Sequence, residues 1–132
     1  MKINLTIASF LGFLAVVLGA FGAHSLKEKL GPEVLNSFET GVRYLMYHVI
    51  IVLFVNSFVD FSEKTKNRIS YLFFIGILFF SGSIFAITIG GVPAKNIWYI
   101  TPLGGLFLIL GWIFMMFSFL KIDNKGKLSS SK

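Results

Sequence analysis

The sequence predicts an all-α integral membrane protein, a four-helix bundle with a short interfacial helix after the first span. Of the 132 residues, 55% are hydrophobic and only 14% are charged, which is too little polar surface to cover a water-soluble globule of this size. Four apolar runs are each long enough to cross, as a helix, the hydrocarbon core of a bilayer, which is about 30 Å thick. A helix satisfies its own backbone polar groups in lipid, so these runs are predicted as membrane-spanning helices.

The first predicted span covers residues 3–23 and rises about 31 Å as a helix. It is longer than the apolar core of a signal peptide, roughly 7 to 15 residues, and more spans follow it, so we expect it to be retained rather than cleaved. Small residues stand four positions apart along it, which lets another helix approach closely. These residues are Ala8 and Gly12, then Ala15, Gly19 and Ala23. Ordinary packing inside the bundle explains this spacing more simply than a dedicated dimer motif.

The second predicted span covers residues 42–61, and residues 24–41 connect it to the first. Gly31 and Pro32 break this connection, because glycine suits the end of one helix and proline the first turn of the next. A helix that begins at Pro32 is able to run directly into the second span. The apolar side of this connection predicts that it lies at the membrane interface.

The third and fourth spans are predicted at residues 69–90 and 103–120, after a short basic loop at 60–68. Ser81, Gly82 and Ser83 lie within the third span, which predicts a close helix crossing with the hydroxyls bonding to the helix backbone or to a neighbour. Residues 91–102 are predicted as a loop, in which Trp98 and Tyr99 anchor the chain at the interface. Residues 1–120 form a single transmembrane domain, and residues 121–132 form a basic tail that we expect to be disordered.

The orientation follows from the distribution of Lys and Arg. An even number of spans places both termini on one side, together with the loop at 60–68. That side carries eight of the 12 cations, and the other side carries Lys27, Lys29, Arg43 and Lys95. Because cytoplasmic loops carry the excess of Lys and Arg, both termini are predicted to be cytoplasmic.

Ionisable side chains near a membrane core are costly to bury, so they are candidates for function. Arg43 and His48 lie in the second span, and Glu39 precedes Arg43 by four residues, the favourable order for an ion pair on a helix. A structural clamp at the helix entrance also explains that pair. His24 ends the first span, where the helix dipole favours a protonated histidine, so capping is its simpler explanation.

Other chemistry finds little support in the sequence. Tyr44 and Tyr47 are interpreted as interfacial aromatics, since tyrosine suits a place where one end is apolar and the other wet. The two histidines with Glu39 or Glu33 could hold zinc, but they lack the spacing of a ligand motif. No nucleophile motif accompanies them, and the chain has no cysteine. We therefore assign no catalytic residue, metal or cofactor.

Four sequence blocks carry a resemblance to a known family. They are residues 18–24 (LGAFGAH), residues 38–44 (FETGVRY) with Tyr47-His48, residues 80–83 (FSGS), and residues 101–105 (TPLGG) with Gly111-Trp112. On these blocks the chain resembles the YgdD/YwdK-like family of small membrane proteins, a domain-of-unknown-function family. The resemblance implies a four-helix protein of the bacterial plasma membrane, and it implies no established activity.

The expected function is that of a non-enzymatic membrane module whose outer-side groove binds a lipid headgroup or a partner's membrane helix. Arg43 is expected to contact the anion, because a guanidinium group suits phosphate geometry. The predicted groove residues are His24, Glu39, Arg43, Tyr44, Tyr47, His48, Ser81, Ser83 and Thr101. One alternative is a small oligomeric transporter or pore, and a second is a lipid-modifying enzyme that uses His24 or His48 as acid or base.

The expected partners are membrane lipids, another membrane protein, or a second copy packed through the small-residue helix faces. The net charge of +6 does not predict nucleic acid as a partner. The basic residues flank the spans, and outside the spans they form no face interleaved with stacking aromatics.

Overall fold

The computed structural model describes residues 2–129, with side chains described for residues 2–122. This part of the chain is built from helices, without a β-strand. Its elements are α1 (Lys2–Phe21), a π-helical turn (Gly22–Leu26), α2 (Pro32–Phe58), α3 (Glu63–Thr88), the short α4 (Ala94–Ile97) and α5 (Ile100–Ser129). Four helices are long and apolar enough to cross a membrane, at Lys2–Leu26, Pro32–Phe58, Glu63–Thr88 and Ile100–Ile122. The all-α, four-span architecture predicted from the sequence is confirmed.

The break at Gly31-Pro32 begins α2, as the sequence predicts. Gly31 is extended, and Pro32 occupies the first turn, where a proline costs no hydrogen bond. The 27 residues of α2 rise about 40 Å, roughly 10 Å more than a bilayer core. The short helix after the first span is the π-helical turn, which continues α1 and buries Gly22 against Phe38 of α2.

The other helices also extend beyond the predicted spans. α3 begins at Glu63 rather than 69, because the Ser62 hydroxyl caps it by accepting a hydrogen bond from the Thr65 amide over 3.3 Å. α4 interrupts the loop predicted at 91–102. The backbone of α5 is helical to Ser129. The disorder predicted for the tail at 121–132 stays a prediction, and residues 130–132 of that tail lie outside the described part.

The helices pack in chain order. Within the described residues, long interfaces join α1 to α2, α2 to α3, and α3 to α5. The central pair, α2 and α3, contributes most of the buried core, including Val49, Val52, Ile69 and Phe73. α1 and α5 therefore flank this pair, and each has one long helical neighbour. This arrangement leaves a groove between α2 and α5.

Small residues set the distances between the helices. The Ala8 and Ala15 side chains of α1 are fully buried and Gly12 faces Val49 of α2, so the predicted rows of small residues mediate packing inside the bundle. Between α3 and α5, the approach is close at Gly104, where an added Cβ would overlap the backbone of Phe80.

The close crossing predicted at Ser81, Gly82 and Ser83 lies beside Gly82 rather than at it. Ser81 bonds to the Gly41 carbonyl oxygen of α2, and Gly104 of α5 packs on the Phe80 backbone. Space around Gly82 is open, with no neighbouring atom within 4 Å of an added Cβ. Gly76 is a second close contact between α3 and α5, where an added Cβ would overlap Leu108. Gly76 precedes Gly82 by six residues, which on a helix places the two on different faces.

Candidate functional site

A cavity of about 680 Å³ opens between α2 and α5, with α3 behind it. We call it the α2–α5 groove. Its lining consists of Tyr44, Tyr47, His48, Ile50, Ile51, Phe80, Gly105, Leu108, Ile109 and Trp112. Tyr47 and Ile109 stand at its mouth and are 56% and 57% exposed. Because both helices are membrane spans, the groove opens sideways toward lipid.

His48 lies at the back of the groove and is buried. Its Nδ1 is 2.7 Å from the carbonyl oxygen of Tyr44, and the indole nitrogen of Trp112 donates to its Nε2 over 3.2 Å. A carbonyl oxygen accepts only and an indole N–H donates only, so the pairing defines a neutral imidazole with its proton on Nδ1. Both ring nitrogens of His48 are therefore satisfied within the chain.

Aromatic rings make the inner wall of the groove. Tyr44 stacks on Phe80 of α3 with ring centroids 4.6 Å apart. The His48 ring lies 5.2 Å from that of Phe73 and meets Trp112 edge to face at 6.3 Å. Rings in such offset and edge contacts stabilise one another, so this wall is preformed.

Arg43 and Glu39 lie near the groove but line a different cavity, of about 240 Å³, with Gly19 of α1. The Arg43 guanidinium donates to the Thr40 hydroxyl over 3.0 Å and lies 3.8 Å from the Glu39 carboxylate. Both charged side chains are 48% exposed, so the predicted ion pair exists but contributes little to stability. A guanidinium group has five N–H donors, and most of those on Arg43 stay available.

Helical spacing nevertheless connects Arg43 to the groove. Tyr47 follows Arg43 by four residues on α2, so the two stand one turn apart on the same helix face, about 6 Å between Cβ atoms. Thr40, which holds the guanidinium, precedes Tyr44 by four residues in the same way. Arg43 therefore lies one turn beyond the mouth of the groove, toward the start of α2.

The predicted hydroxyl residues bond helix to helix. Ser81 of α3 donates to the carbonyl oxygen of Gly41 on α2 over 2.7 Å. Ser83 of α3 and Thr101 of α5 share a hydrogen bond of 2.6 Å. These bonds confirm the prediction that hydroxyls of the third span reach a neighbouring helix. They hold the walls around the groove, whose lining does not include these three residues.

His24 lies apart from the other predicted residues. It is exposed on the π-helical turn and belongs to the lining of neither cavity. In the described part of the chain, no three His, Asp or Glu side chains stand close enough together to hold a metal ion. The structure thus brings Tyr44, Tyr47 and His48 together, places Arg43 and Glu39 beside them, and leaves His24 outside.

Sequence reasoning missed Trp112. Tryptophan is typical of the membrane interface, yet this one lies near the middle of the fourth span and bonds to His48. A tryptophan far from the interface needs a partner for its N–H. That position is the signal that would have identified it.

A second polar cluster, also missed, lies at the other end of the bundle. The amide nitrogen of Asn4 donates to Asn56 over 3.2 Å and to Asn67 over 2.7 Å, and the amide of Asn56 donates to Ser70 over 2.9 Å. We call these four residues the asparagine clamp. It ties α1, α2 and α3 together. The sequence indicates this cluster by the asparagine that stands inside each of the first two apolar runs, Asn4 in the first and Asn56 in the second.

Comparison with known proteins places the chain among small membrane proteins. A family model described as "Protein of unknown function (DUF423)" matches residues 18–105. A UPF0382 membrane protein of Haemophilus influenzae is 38% identical over 118 residues, which cover 89% of this chain and 93% of that protein. The UPF0382 membrane protein YwdK of Bacillus subtilis is 36% identical, covering 92% and 98%.

A further relative extends the similarity to a third genus. The UPF0382 inner membrane protein YgdD of Escherichia coli is 29% identical, over 95% of each chain. No solved structure matches the chain. The resemblance drawn from the four sequence blocks is confirmed, and the first three blocks and the start of the fourth lie inside the matched residues 18–105.

Proposed function

The chain belongs to the DUF423 family, and we propose that this multi-pass membrane protein is a non-enzymatic module that holds a phospholipid in its α2–α5 groove. The observation that carries the proposal is the form of this groove. It is apolar along its length, it opens sideways toward lipid, and it has an arginine with free donors one turn beyond its mouth.

The groove suits an acyl chain. Its volume of about 680 Å³ lies within the range of roughly 300 to 1,000 Å³ typical of ligand sites. None of its lining residues is charged, and both ring nitrogens of the one histidine are already bonded. Apart from the hydroxyls of Tyr44 and Tyr47, the lining offers a polar ligand few partners to replace its hydration, whereas a hydrocarbon chain has no such hydration to lose.

Arg43 suits the phosphate of the same lipid. It is eleven residues beyond Pro32, so it lies about 17 Å along α2. If the extra length of α2 extends beyond the bilayer at its start, Arg43 lies within about 7 Å of the hydrocarbon boundary, a distance its side chain is able to span. Arginine binds phosphate through parallel N–H donors, and Thr40 orients the guanidinium.

We place the protein in the bacterial plasma membrane with both termini in the cytoplasm. The cation distribution supports this orientation, since the side with both termini carries eight of 12 cations. The relative from Escherichia coli is named an inner membrane protein. In this orientation Arg43 and the mouth of the groove lie toward the outer leaflet.

His48 favours binding over catalysis. A general base needs a ring nitrogen free to accept the substrate's proton. The Nε2 of His48 accepts from Trp112, and its Nδ1 donates to the Tyr44 carbonyl. The pair is therefore a structural part of the groove wall.

The proposal is tested by a substitution that places a larger side chain in the groove and leaves its polar residues unchanged. Gly105 lines the groove, and an added Cβ there meets only the Phe80 ring, at 3.8 Å. A Gly105→Leu variant therefore occupies the space of the acyl chain. The matched control is Gly82→Leu, a change of the same size at an open position outside the groove.

We expect native mass spectrometry of the protein, released in mild detergent, to show a bound phospholipid on the wild type and on Gly82→Leu, and to show it lost from Gly105→Leu. Equal lipid on all three proteins contradicts the proposal. A second protein lost only from Gly105→Leu would make the groove a binding site for a partner's helix instead.

A further inference from the structure

A pair of unpartnered cations lies at the start of α3. Lys64 and Arg68 are exposed and four residues apart, so they stand one turn apart on one face of the helix. Within the part of the chain that the structure describes, neither side chain makes an ion pair or a hydrogen bond. Their neighbour Lys66 points elsewhere and donates to the carbonyl oxygen of Asn56 over 3.5 Å. Two like charges one turn apart repel each other unless an anion neutralises them.

The same face of α3 becomes apolar as it continues into the membrane. A cavity of about 330 Å³ lies there, between α3 and α5. It is lined by Arg68, Tyr71, Leu72, Ile75 and Phe114. Tyr71 is 58% exposed, which suits a tyrosine at the boundary between headgroups and hydrocarbon. The order along the helix is therefore cation, amphipathic ring, then hydrocarbon.

We infer that this α3–α5 cavity is a site for an anionic phospholipid, with the headgroup on Lys64 and Arg68 and an acyl chain along Ile75 and Phe114. The sequence of chemistry along α3 matches the order of headgroup, ester region and tail in such a lipid. The charge of the two cations indicates the class of lipid. They favour a headgroup with net negative charge over a zwitterionic headgroup, because they would repel the cation of the zwitterionic one.

The cavity is independent of the α2–α5 groove. It shares no lining residue with that groove. α3 starts at the membrane side where α2 ends, so Arg68 and Arg43 lie at opposite sides of the membrane. The two sites therefore face different leaflets, and failure of one leaves the other standing.

The test measures lipid binding to the full chain in mild detergent by native mass spectrometry, with phosphatidylglycerol and phosphatidylcholine added in parallel. The variant Lys64→Gln/Arg68→Gln removes both cations and keeps side chains of similar length. The control Lys27→Gln/Lys29→Gln removes the same charge from the other side of the membrane. A further arm adds inorganic phosphate as competitor, which separates a lipid site from a phosphate site.

We expect the wild type to bind phosphatidylglycerol in preference to phosphatidylcholine. The Lys64→Gln/Arg68→Gln variant should weaken one phosphatidylglycerol binding step by roughly tenfold or more, and the control should not. Equal weakening in the control means diffuse attraction of anions to a basic protein and overturns the inference. Displacement by inorganic phosphate at similar concentration overturns it too, because the tail then contributes nothing.

Location is tested by a phosphatidylglycerol with a photoreactive group in its acyl chain. Cross-links at Ile75 or Phe114 support the inference, and cross-links only at residues of the α2–α5 groove overturn it. Gly105→Leu should leave the cross-links at Ile75 or Phe114 unchanged, which distinguishes the two sites.

Discussion

Trp112 of α5 donates a hydrogen bond from its indole nitrogen to Nε2 of His48 on α2, over 3.2 Å. The two helices share no long interface in the described part of the chain, so this bond joins helices that are otherwise held together through α3. It also fixes the ring positions at the back of the α2–α5 groove. The pair is thus a tie across the groove.

Replacing Trp112 with Phe tests this tie. The change keeps an aromatic ring but leaves the buried His48 Nε2 without a donor, so we expect a loss of about 1 kcal/mol in the free energy of unfolding, within the range for hydrogen bonds between membrane helices. Thermal unfolding in detergent measures it. Trp98→Phe, at an exposed position, is the control and should leave stability unchanged. Equal loss in both would show that the bond contributes nothing.

The backbone contact at Gly104 predicts a large loss of stability. A methyl group there would overlap the backbone of Phe80 and force α3 and α5 apart. We expect Gly104→Ala to destabilise the protein by about 2 kcal/mol or more, since overpacking costs typically 1 to 3 kcal/mol.

Gly82→Ala is the matched control for this change. Gly82 faces open space, and alanine favours a helix over glycine by up to about 1 kcal/mol. The control is therefore expected to be neutral or stabilised in the same unfolding measurement. Two alanine variants of equal stability would contradict the close packing at Gly104.

The asparagine clamp predicts non-additive substitutions. Asn4 and Asn56 are buried and hydrogen-bonded to each other, so Asn4→Ala and Asn56→Ala each leave a partner unsatisfied. Their double variant should be less destabilised than the sum of the two, with a coupling energy of about 0.6 to 1.7 kcal/mol. A double-mutant cycle by thermal unfolding measures this. If the losses of the two single variants simply add in the double variant, the two amides do not stabilise each other, which contradicts the prediction.

We expect Arg43 to contribute to lipid binding but little to the free energy of unfolding. Its ion pair with Glu39 is half exposed and 3.8 Å long, so Arg43→Gln is expected to change the free energy of unfolding by less than about 1 kcal/mol. The same variant should lose the phospholipid of the α2–α5 groove in native mass spectrometry, because the phosphate loses its cation. Lys27→Gln, on the same side of the membrane, is the control. Retention of the lipid on Arg43→Gln would restrict the site to the acyl chain.

The spans were predictable because hydropathy and length alone decide whether a helix crosses a bilayer. The start of α2 was also predictable, since Gly31-Pro32 is a local signal. The start of α3 was missed because a polar first turn reads as loop, although the Ser62 cap makes it helical. Local sequence signals therefore predict which segments are helical, but they do not predict every residue at which a helix begins or ends.

The site was predictable only residue by residue. The sequence indicates His48 and Arg43, because ionisable groups in a span are rare. It indicates Tyr44 and Tyr47 by their position near the start of the second span. Their grouping was not predictable, because it depends on how α2 is rotated against α5. That rotation separates Arg43 from the groove lining and brings Trp112 to His48.

The single long interface of each outer helix has a consequence for biogenesis. α1 pairs with α2 and α3 with α5, so the chain consists of two hairpins, each able to enter the bilayer as a unit during synthesis. The one long interface between the hairpins joins α2 to α3, and the Asn4–Asn67 and His48–Trp112 hydrogen bonds add two further links. If the chain is divided in the loop at 59–62, the two fragments keep the α1–α2 and α3–α5 interfaces and lose only the covalent link across the α2–α3 interface. Co-expression of the two fragments should restore the protein if α2 and α3 associate.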